Sequence, residues 1–182
     1  MEIVPATLEH KLLLENLLEL YMYELSALHP EGFTVDSTGR FGYKYTPLYF
    51  TEPHRHAFIV YQSDEPCGFV LVNNDCRFDN SDFWMAEFFI MRKFQRRGLG
   101  TEVAHEIFRK FNGNWEVGVA YTAIGEQDFW RKCIYRFTES FTEEQTTKEH
   151  HNWRGVIFRF RTDSTATEHS NRADLAGTAY LQ

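Results

Sequence analysis

The residues with the clearest chemical potential lie at positions 92–101. The segment Arg-Lys-Phe-Gln-Arg-Arg-Gly-Leu-Gly-Thr follows an apolar run and carries four cationic side chains and two glycines. A strand that turns through such a loop into a helix directs several backbone N–H groups, and the positive end of the helix dipole, at one point. Gly98 and Gly100 would let the backbone come close to a bulky anion. These features predict a pyrophosphate site.

Two other kinds of phosphate loop are excluded by the residues themselves. A P-loop needs a Lys-Ser or Lys-Thr pair after its last glycine, and none is present. A dinucleotide loop needs a third glycine or alanine, and that position holds Val103. The remaining alternative is a strand-to-helix turn that uses glycine only for geometry, with its arginines solvated.

Glu87 is the second candidate, because it is the one charged residue in the apolar run at 83–91. Such a run predicts a central strand that is buried on both faces. An ionised carboxylate is costly to bury unless it is paired, so we expect a partner or a raised pKa. Glu87 is then either a general base that takes a proton from an ammonium group, or a structural carboxylate bound to a neighbouring backbone group or tyrosine.

The composition favours one globular domain. The chain has 182 residues, of which 43% are apolar and 16% aromatic, and its net charge is −7. That charge argues against nucleic acid and anionic membranes as partners, so the basic run at 92–97 favours a single small anionic ligand. Three cysteines without C-x-x-C spacing, no signal peptide and no apolar run of membrane-spanning length together predict a cytoplasmic protein.

The elements that must position these residues follow from periodicity. Helices are predicted at 8–28, ending at His29-Pro30, and at 101–111 and 126–135. Strands are predicted at 2–6, 57–62, 67–72, 83–91, 115–119, 136–141 and 153–161, with a loop at 142–152. Residues 29–56, here called the aromatic segment, are irregular and rich in tyrosine and phenylalanine. Long loops of this kind are usually functional or mobile.

The hexapeptide at 95–100, Gln-Arg-Arg-Gly-Leu-Gly, resembles the Q/R-x-x-G-x-G/A signature of the GNAT superfamily of N-acetyltransferases. The preceding hairpin and strand, the following helix and the Phe-Trp-Arg-Lys run at 129–132 come in that family's order. The resemblance covers residues 1–161 and leaves a polar tail at 162–182. It implies an α/β fold with a mixed, mostly antiparallel sheet, splayed at the cofactor site, and helices on both faces.

The resemblance also implies the reaction, which is transfer of acetyl from acetyl-CoA to a primary amine of a small acceptor. Main-chain groups of Phe89 and Ile90 would pair with the pantetheine arm, and the Ile90 N–H would polarise the thioester. Glu87 would be the base, and no metal is implied. The expected pyrophosphate ligands are Gln95, Arg96, Arg97, Gly98, Leu99, Gly100 and Thr101.

The sequence departs from the family at two positions. Trp130 stands where a tyrosine often protonates the CoA thiolate, and an indole N–H has no accessible proton-transfer chemistry. Ala123 replaces an asparagine that touches the cofactor arm. Tyr135 and Tyr121 are the candidate acids, although each also fits a packing role. The departures keep two alternatives open: a non-catalytic acyl-CoA-binding regulator, and a structural protein that uses the aromatic segment and the tail.

The resemblance further implies that the acceptor site lies at the end of the first helix and in the aromatic segment. The residues concerned are Tyr21, Tyr23 and Glu24 on the helix, and Phe41, Tyr43, Tyr45 and Tyr49 in the segment. The alternative is that these side chains are core or plain surface. The pairs His54/His56 and His150/His151 lack further ligands, so we expect no metal site. A homodimer is left open, since dimers are common in the family.

Overall fold

The computed structural model describes residues 1–28, 32–147, 151 and 153–163. The predicted helix end at 29–30, His150 and the tail from residue 164 lie outside these ranges. The helices are α1 (Lys11–Leu28), α2 (Leu99–Lys110) and α3 (Ile124–Phe137), with 3₁₀ turns at Leu8–His10, Thr46–Phe50 and Arg92–Phe94. The strands are β1 (Glu2–Pro5), β2 (His56–Gln62), β3 (Glu65–Asn73), β4 (Phe83–Ile90), β5 (Gly113–Ala120), β6 (Phe141–Thr146) and β7 (Gly155–Thr162).

The seven strands form one sheet in the order β1-β2-β3-β4-β5-β7-β6. Every neighbouring pair is antiparallel except β4 and β5, which run parallel. Their ladder contains only Phe83 with Trp115 and Trp84 with Glu116, so the two strands separate before β4 reaches Ile90. The mixed, mostly antiparallel sheet with a central splay is therefore confirmed.

Helices cover both faces of the sheet, as predicted. Alternate residues of each strand face opposite sides, and the buried side chains accordingly divide into two clusters. One cluster joins α2 and α3 to the sheet, with Phe108, Trp115 and Phe158 at its centre. The other joins Leu14 and Leu18 of α1 to β2 and β3. Within the described ranges, no helix has both the length and the apolar character needed to cross a membrane.

The closing hairpin differs from the prediction. Residues 136–141 were expected to form a strand and 142–152 a loop, whereas α3 continues to Phe137 and β6 occupies Phe141–Thr146. Phe137 extends the helix because its ring packs edge-on against Phe108, 5.3 Å between centroids. The polar sequence of β6 suits an edge strand, where charged residues discourage pairing with other chains. Polarity therefore indicated an edge position here rather than a loop.

Candidate active site

The loop between β4 and α2, residues 95–101, is here called the phosphate loop. Gly98 is the N-cap of α2 and has φ 85°, and Arg96 also has a positive φ, at 61°. Phe94 before the loop and Leu99 after its turn are buried in the core. Left-handed residues curve the backbone so that successive N–H groups face one concave side. The sequence thus folds into the kind of turn that binds anions.

Most N–H groups of the phosphate loop have no acceptor within the described part of the chain. The Thr101 N–H donates to the Gly98 carbonyl at 3.0 Å, which closes the first turn of α2. The N–H groups of residues 96–100 make no hydrogen bond among the described residues. Unpaired donors at a helix start, with the helix dipole behind them, favour a bound phosphate.

The structure shows which of the four cations already have an ion-pair partner, which the sequence could not do. Arg92 is paired with Glu24 at 3.0 Å, and Lys93 with Glu65 at 2.6 Å. Arg96 and Arg97 are exposed and make no ion pair with any described residue. The two arginines inside the phosphate loop are therefore the cations that are available to a ligand.

Gly100 has a role that the sequence did not indicate. A β-carbon added there would lie 3.3 Å from the ring of Phe129 and 3.8 Å from that of Phe88. Gly100 therefore allows α2 to pack closely against α3 and β4. Close approach of the backbone to an anion at this residue is untested and stays a prediction.

The register of β3 and β4 shows which main-chain groups face the splay. The Met91 N–H donates to the Cys67 carbonyl at 2.8 Å. Hydrogen-bonded and open pairs alternate along an antiparallel ladder, so Ile90 turns its N–H away from β3. Phe89 opposes Phe69 and is turned toward β3. The same alternation turns the main-chain N–H and C=O of Phe88 toward the splay, and sequence reasoning missed this residue.

Gln95 fixes the end of β4. Its side-chain Nε2 donates to the Ile90 carbonyl at 2.6 Å. This bond joins the phosphate loop to the strand that carries Glu87. The proposed contacts of Phe89 and Ile90 with a pantetheine arm stay predictions, and the geometry favours Ile90.

The two candidate acids, Tyr135 and Tyr121, are exposed, whereas Trp130 is buried. Trp130 is only 7% exposed, and its ring packs edge-on against Phe88 at 5.0 Å. Tyr135 is 58% exposed. It lies five residues after Trp130, roughly 140° around the helix, and so it faces away from the core. The Tyr121 hydroxyl donates to the Thr146 carbonyl at 3.1 Å. The role of either tyrosine as the acid stays a prediction.

Glu87 is partly buried and held by two tyrosines. The Tyr21 hydroxyl donates to Oε2 at 2.7 Å, and the Tyr43 hydroxyl donates to Oε1 at 3.0 Å. Burial raises the pKa of Glu87 to about 7, and the two hydrogen bonds act in the opposite direction. The carboxyl therefore exchanges its proton near neutral pH, which suits a general base. The tyrosine partners equally fit the structural interpretation, so both stand.

Tyr21 lies in the core and also binds Glu87, and its expected contact with the acceptor stays a prediction. Its ring packs in the α1 core cluster against Phe69 and Phe89, both at 5.7 Å. Burial, followed by the charge of Glu87, raises its pKa well above the usual range. Tyr23, by contrast, is 69% exposed and lies at the surface.

Tyr43 is the residue of the aromatic segment that reaches Glu87. Burial and the Glu87 charge raise its pKa as well, so its hydroxyl stays protonated and donates. Tyr49 is buried and accepts from Asn73 at 3.3 Å, whereas Tyr45 is exposed. The Phe41 N–H donates to Glu19 of α1 at 2.8 Å. Of the four aromatic residues, only Tyr43 forms a hydrogen bond with Glu87.

Sequence reasoning missed a second buried carboxylate. Glu116 on β5 is fully buried and accepts the N–H groups of Arg77 at 2.6 Å and Phe78 at 2.9 Å. It fixes the connection from β3 to β4. A lone glutamate in an otherwise alternating strand was the available signal. No cluster of three metal-ligating side chains occurs among the described residues, and His56 instead contacts the ring of Phe111.

Comparison with known proteins agrees with this geometry. The profile described as Acetyltransferase (GNAT) family matches residues 17–133. An acetyltransferase from Thermus thermophilus superimposes with a TM-score of 0.64 at 16% identity, over 87% of this chain and 94% of that one. A GNAT-family acetyltransferase from Staphylococcus aureus gives 0.56 at 10% identity, over 89% and 99%. Tetrahymena GCN5 gives 0.52 at 15% identity, over 90% and 98%.

No curated protein sequence matches the chain. The structural similarities lie at low identity and show the fold, while the profile match spans more than half of the sequence. The matched segment runs from within α1 through β4 and the phosphate loop into α3. The chain therefore belongs to the GNAT family of acetyltransferases.

Proposed function

We propose that the protein transfers the acetyl group of acetyl-CoA to the primary amine of a small acceptor. The observation that carries the proposal is the course of β4. This strand bears Glu87, then turns the Ile90 N–H into the splay, and leads into a loop whose N–H groups at 96–100 and two arginines have no partner among the described residues. A base, a carbonyl-polarising donor and a phosphate site thus follow one another along one stretch of chain.

Each residue has a definite role in the proposed reaction. The phosphate loop, with Arg96 and Arg97, holds the pyrophosphate. The Ile90 N–H stabilises the oxyanion that forms when the amine adds to the thioester carbonyl. Glu87 takes the proton that the attacking nitrogen loses. Acetyl-CoA supplies the activated acyl group, a C–N bond forms as the C–S bond breaks, and CoA leaves as its thiolate. Positioning provides much of the rate.

Calorimetric titration with acetyl-CoA, free CoA and ATP tests the cofactor site. We expect both CoA species to bind, and ATP to bind weakly. Arg97→Ala should weaken CoA binding, and Arg92→Ala is the matched control because Glu24 already pairs with that arginine. If none of the three ligands binds, the phosphate loop does not hold CoA.

Glu87→Gln tests the base. Gln keeps the shape of the side chain, accepts from one tyrosine through its carbonyl oxygen and presents its NH2 group as a donor to the other hydroxyl, but it cannot take up a proton. Turnover of an accepted amine should fall by roughly a hundredfold or more, with acetyl-CoA affinity unchanged. An unaltered rate and pH dependence would show that Glu87 is structural.

One observation favours a second function, a non-catalytic acyl-CoA-binding regulator. Trp130 is buried where a tyrosine acid would stand, and Tyr135 faces outward. Both functions predict CoA binding. They differ in turnover, so release of CoA in the presence of any amine from a broad panel excludes the regulator.

A further inference from the structure

Two elements outside the sheet meet at the Glu87 carboxylate. Tyr21 comes from α1 and Tyr43 from the aromatic segment, and each donates to a different carboxylate oxygen, at 2.7 Å and 3.0 Å. The two tyrosines lie 66 and 44 residues from Glu87 in the sequence. The arrangement therefore depends on tertiary structure and not on the strand alone.

The arrangement favours the ionised carboxylate. A carboxylate offers about four acceptor positions, whereas a protonated carboxyl keeps fewer and must donate its own proton. Both tyrosines stay protonated, so both act as donors. Hydrogen bonds to the charged form stabilise it against burial. Two acceptor positions are left for the N–H groups of an incoming ammonium.

We propose that Tyr21 and Tyr43 are positioning residues that stabilise the ionised form of Glu87 against burial and orient the carboxylate to receive the proton of the acceptor amine. This inference rests on the proposed function and deepens it. It makes the aromatic segment a part of the acid–base machinery, beyond any contact that it has with the acceptor.

The backbone beside Tyr43 is anchored on α1. Glu19 accepts the N–H groups of Phe41 at 2.8 Å and Gly42 at 3.0 Å, and its ion pair with Arg40 measures 3.4 Å. The helix that supplies Tyr21 thus also holds the segment that supplies Tyr43. Loosening this anchor should weaken the hydrogen bond from Tyr43 without touching Glu87.

Three other titratable groups of the described residues lie near the site. On the aromatic segment, Tyr49 lies within electrostatic range of Glu87, and Arg55 packs over the Tyr49 ring. On α3, the charge of Glu126 contributes to the raised pKa of Tyr21. The residue opposite Glu87 on β3 is Leu71, which does not titrate. No cation forms an ion pair with Glu87 among the described residues, so the two hydroxyls are its stabilising partners there.

The test compares Tyr43→Phe and Tyr21→Phe with Tyr45→Phe. Phenylalanine keeps each ring and removes the hydroxyl. Tyr45 is a matched control, since its ring packs edge-on against Tyr43 on the same segment while its hydroxyl does not contact Glu87. Two quantities are measured: the pH dependence of kcat/KM, and the titration of Glu87 by ¹³C NMR of glutamate-labelled protein, assigned with Glu87→Gln.

We expect each site variant to raise the pKa of Glu87 by about one unit, the size expected for one charge-assisted hydrogen bond. The acid limb of kcat/KM should move upward by the same amount, while acetyl-CoA affinity stays near wild type because neither tyrosine belongs to the phosphate loop. Glu19→Gln should give a smaller shift in the same direction, and Tyr45→Phe none.

The outcomes separate this inference from the proposed function. An unchanged Glu87 titration in Tyr43→Phe overturns the inference, even if amines are acetylated. A shifted titration without turnover of any amine supports the hydrogen-bond assignment and overturns the proposed function. Should Tyr21→Phe fail to fold because its ring packs in the core, Tyr43→Phe decides the result alone.

Discussion

At the scale of single residues, the phosphate loop distinguishes cations that look equivalent in sequence. Arg96→Ala and Arg97→Ala should each weaken acetyl-CoA binding by about tenfold, since each removes a charge that no described carboxylate neutralises. Lys93→Ala should change the affinity little, because Glu65 already pairs with it. Calorimetry measures the acetyl-CoA affinity of the three variants. Equal losses of affinity would contradict the distinction between paired and unpaired cations.

Gly98 has a conformational role that can be tested in the same way. Its φ of 85° strains any residue with a β-carbon, so Gly98→Ala should destabilise the loop by about 1 kcal/mol and lower the affinity for acetyl-CoA. Gly125 in the first turn of α3 is the control, since a β-carbon there meets nothing within 4 Å. Gly125→Ala should keep or raise the thermal midpoint. A Gly98→Ala protein with unchanged affinity would argue against the turn geometry.

Residue types and spacing could predict the loop and the anomalous carboxylate, but not their partners. Glu87 is conspicuous because one charge interrupts an apolar strand. Tyr21 and Tyr43 could not be assigned to it, since tertiary packing brings them together across long stretches of chain. The role of Gly100 was missed for the same reason, because Phe129 fills the space beside it.

At the scale of elements, Glu116 ties the β3–β4 connection to β5. Glu116→Ala would leave the N–H groups of Arg77 and Phe78 without their acceptor, at a cost of roughly 3 kcal/mol. Glu143→Ala is the matched control, since that carboxylate pairs with Arg131 near the surface and should contribute less than about 1 kcal/mol. Urea denaturation compares them, and similar losses would show that the β3–β4 connection does not need this anchor.

Element types followed from periodicity wherever one side of the element is buried. The helices and the inner strands were predicted close to their observed ranges. The edge strand β6 was misplaced because its residues alternate little and carry charge. Pairing with β7, which no local pattern encodes, defines it.

At the scale of the whole molecule, Glu87 makes stability depend on pH. Its pKa is about 7 in the folded protein, against an ordinary value of 4.5. Between these values the folded state binds more protons than the unfolded state, so stability falls as pH rises through this window, by up to about 3 kcal/mol. Glu87→Gln should lose less stability between pH 4.5 and pH 7.5. Urea denaturation at both pH values gives the free energy of unfolding of wild type and variant. Equal losses of stability in the two proteins would contradict this prediction.

The splay between β4 and β5 also has a mechanical consequence. Two residue pairs join β1–β4 to β5–β7 through the sheet, so the hydrogen-bonded connection between the two halves of the sheet is confined to one end of the splay. A ligand bound in the splay would contact both halves of the sheet, and its binding free energy would add to the stability of the folded state. The Ile90 amide should then exchange with deuterium quickly in the free protein and slowly in the protein that has acetyl-CoA bound. Amides within the β2–β3 ladder should exchange at the same rate in the two states.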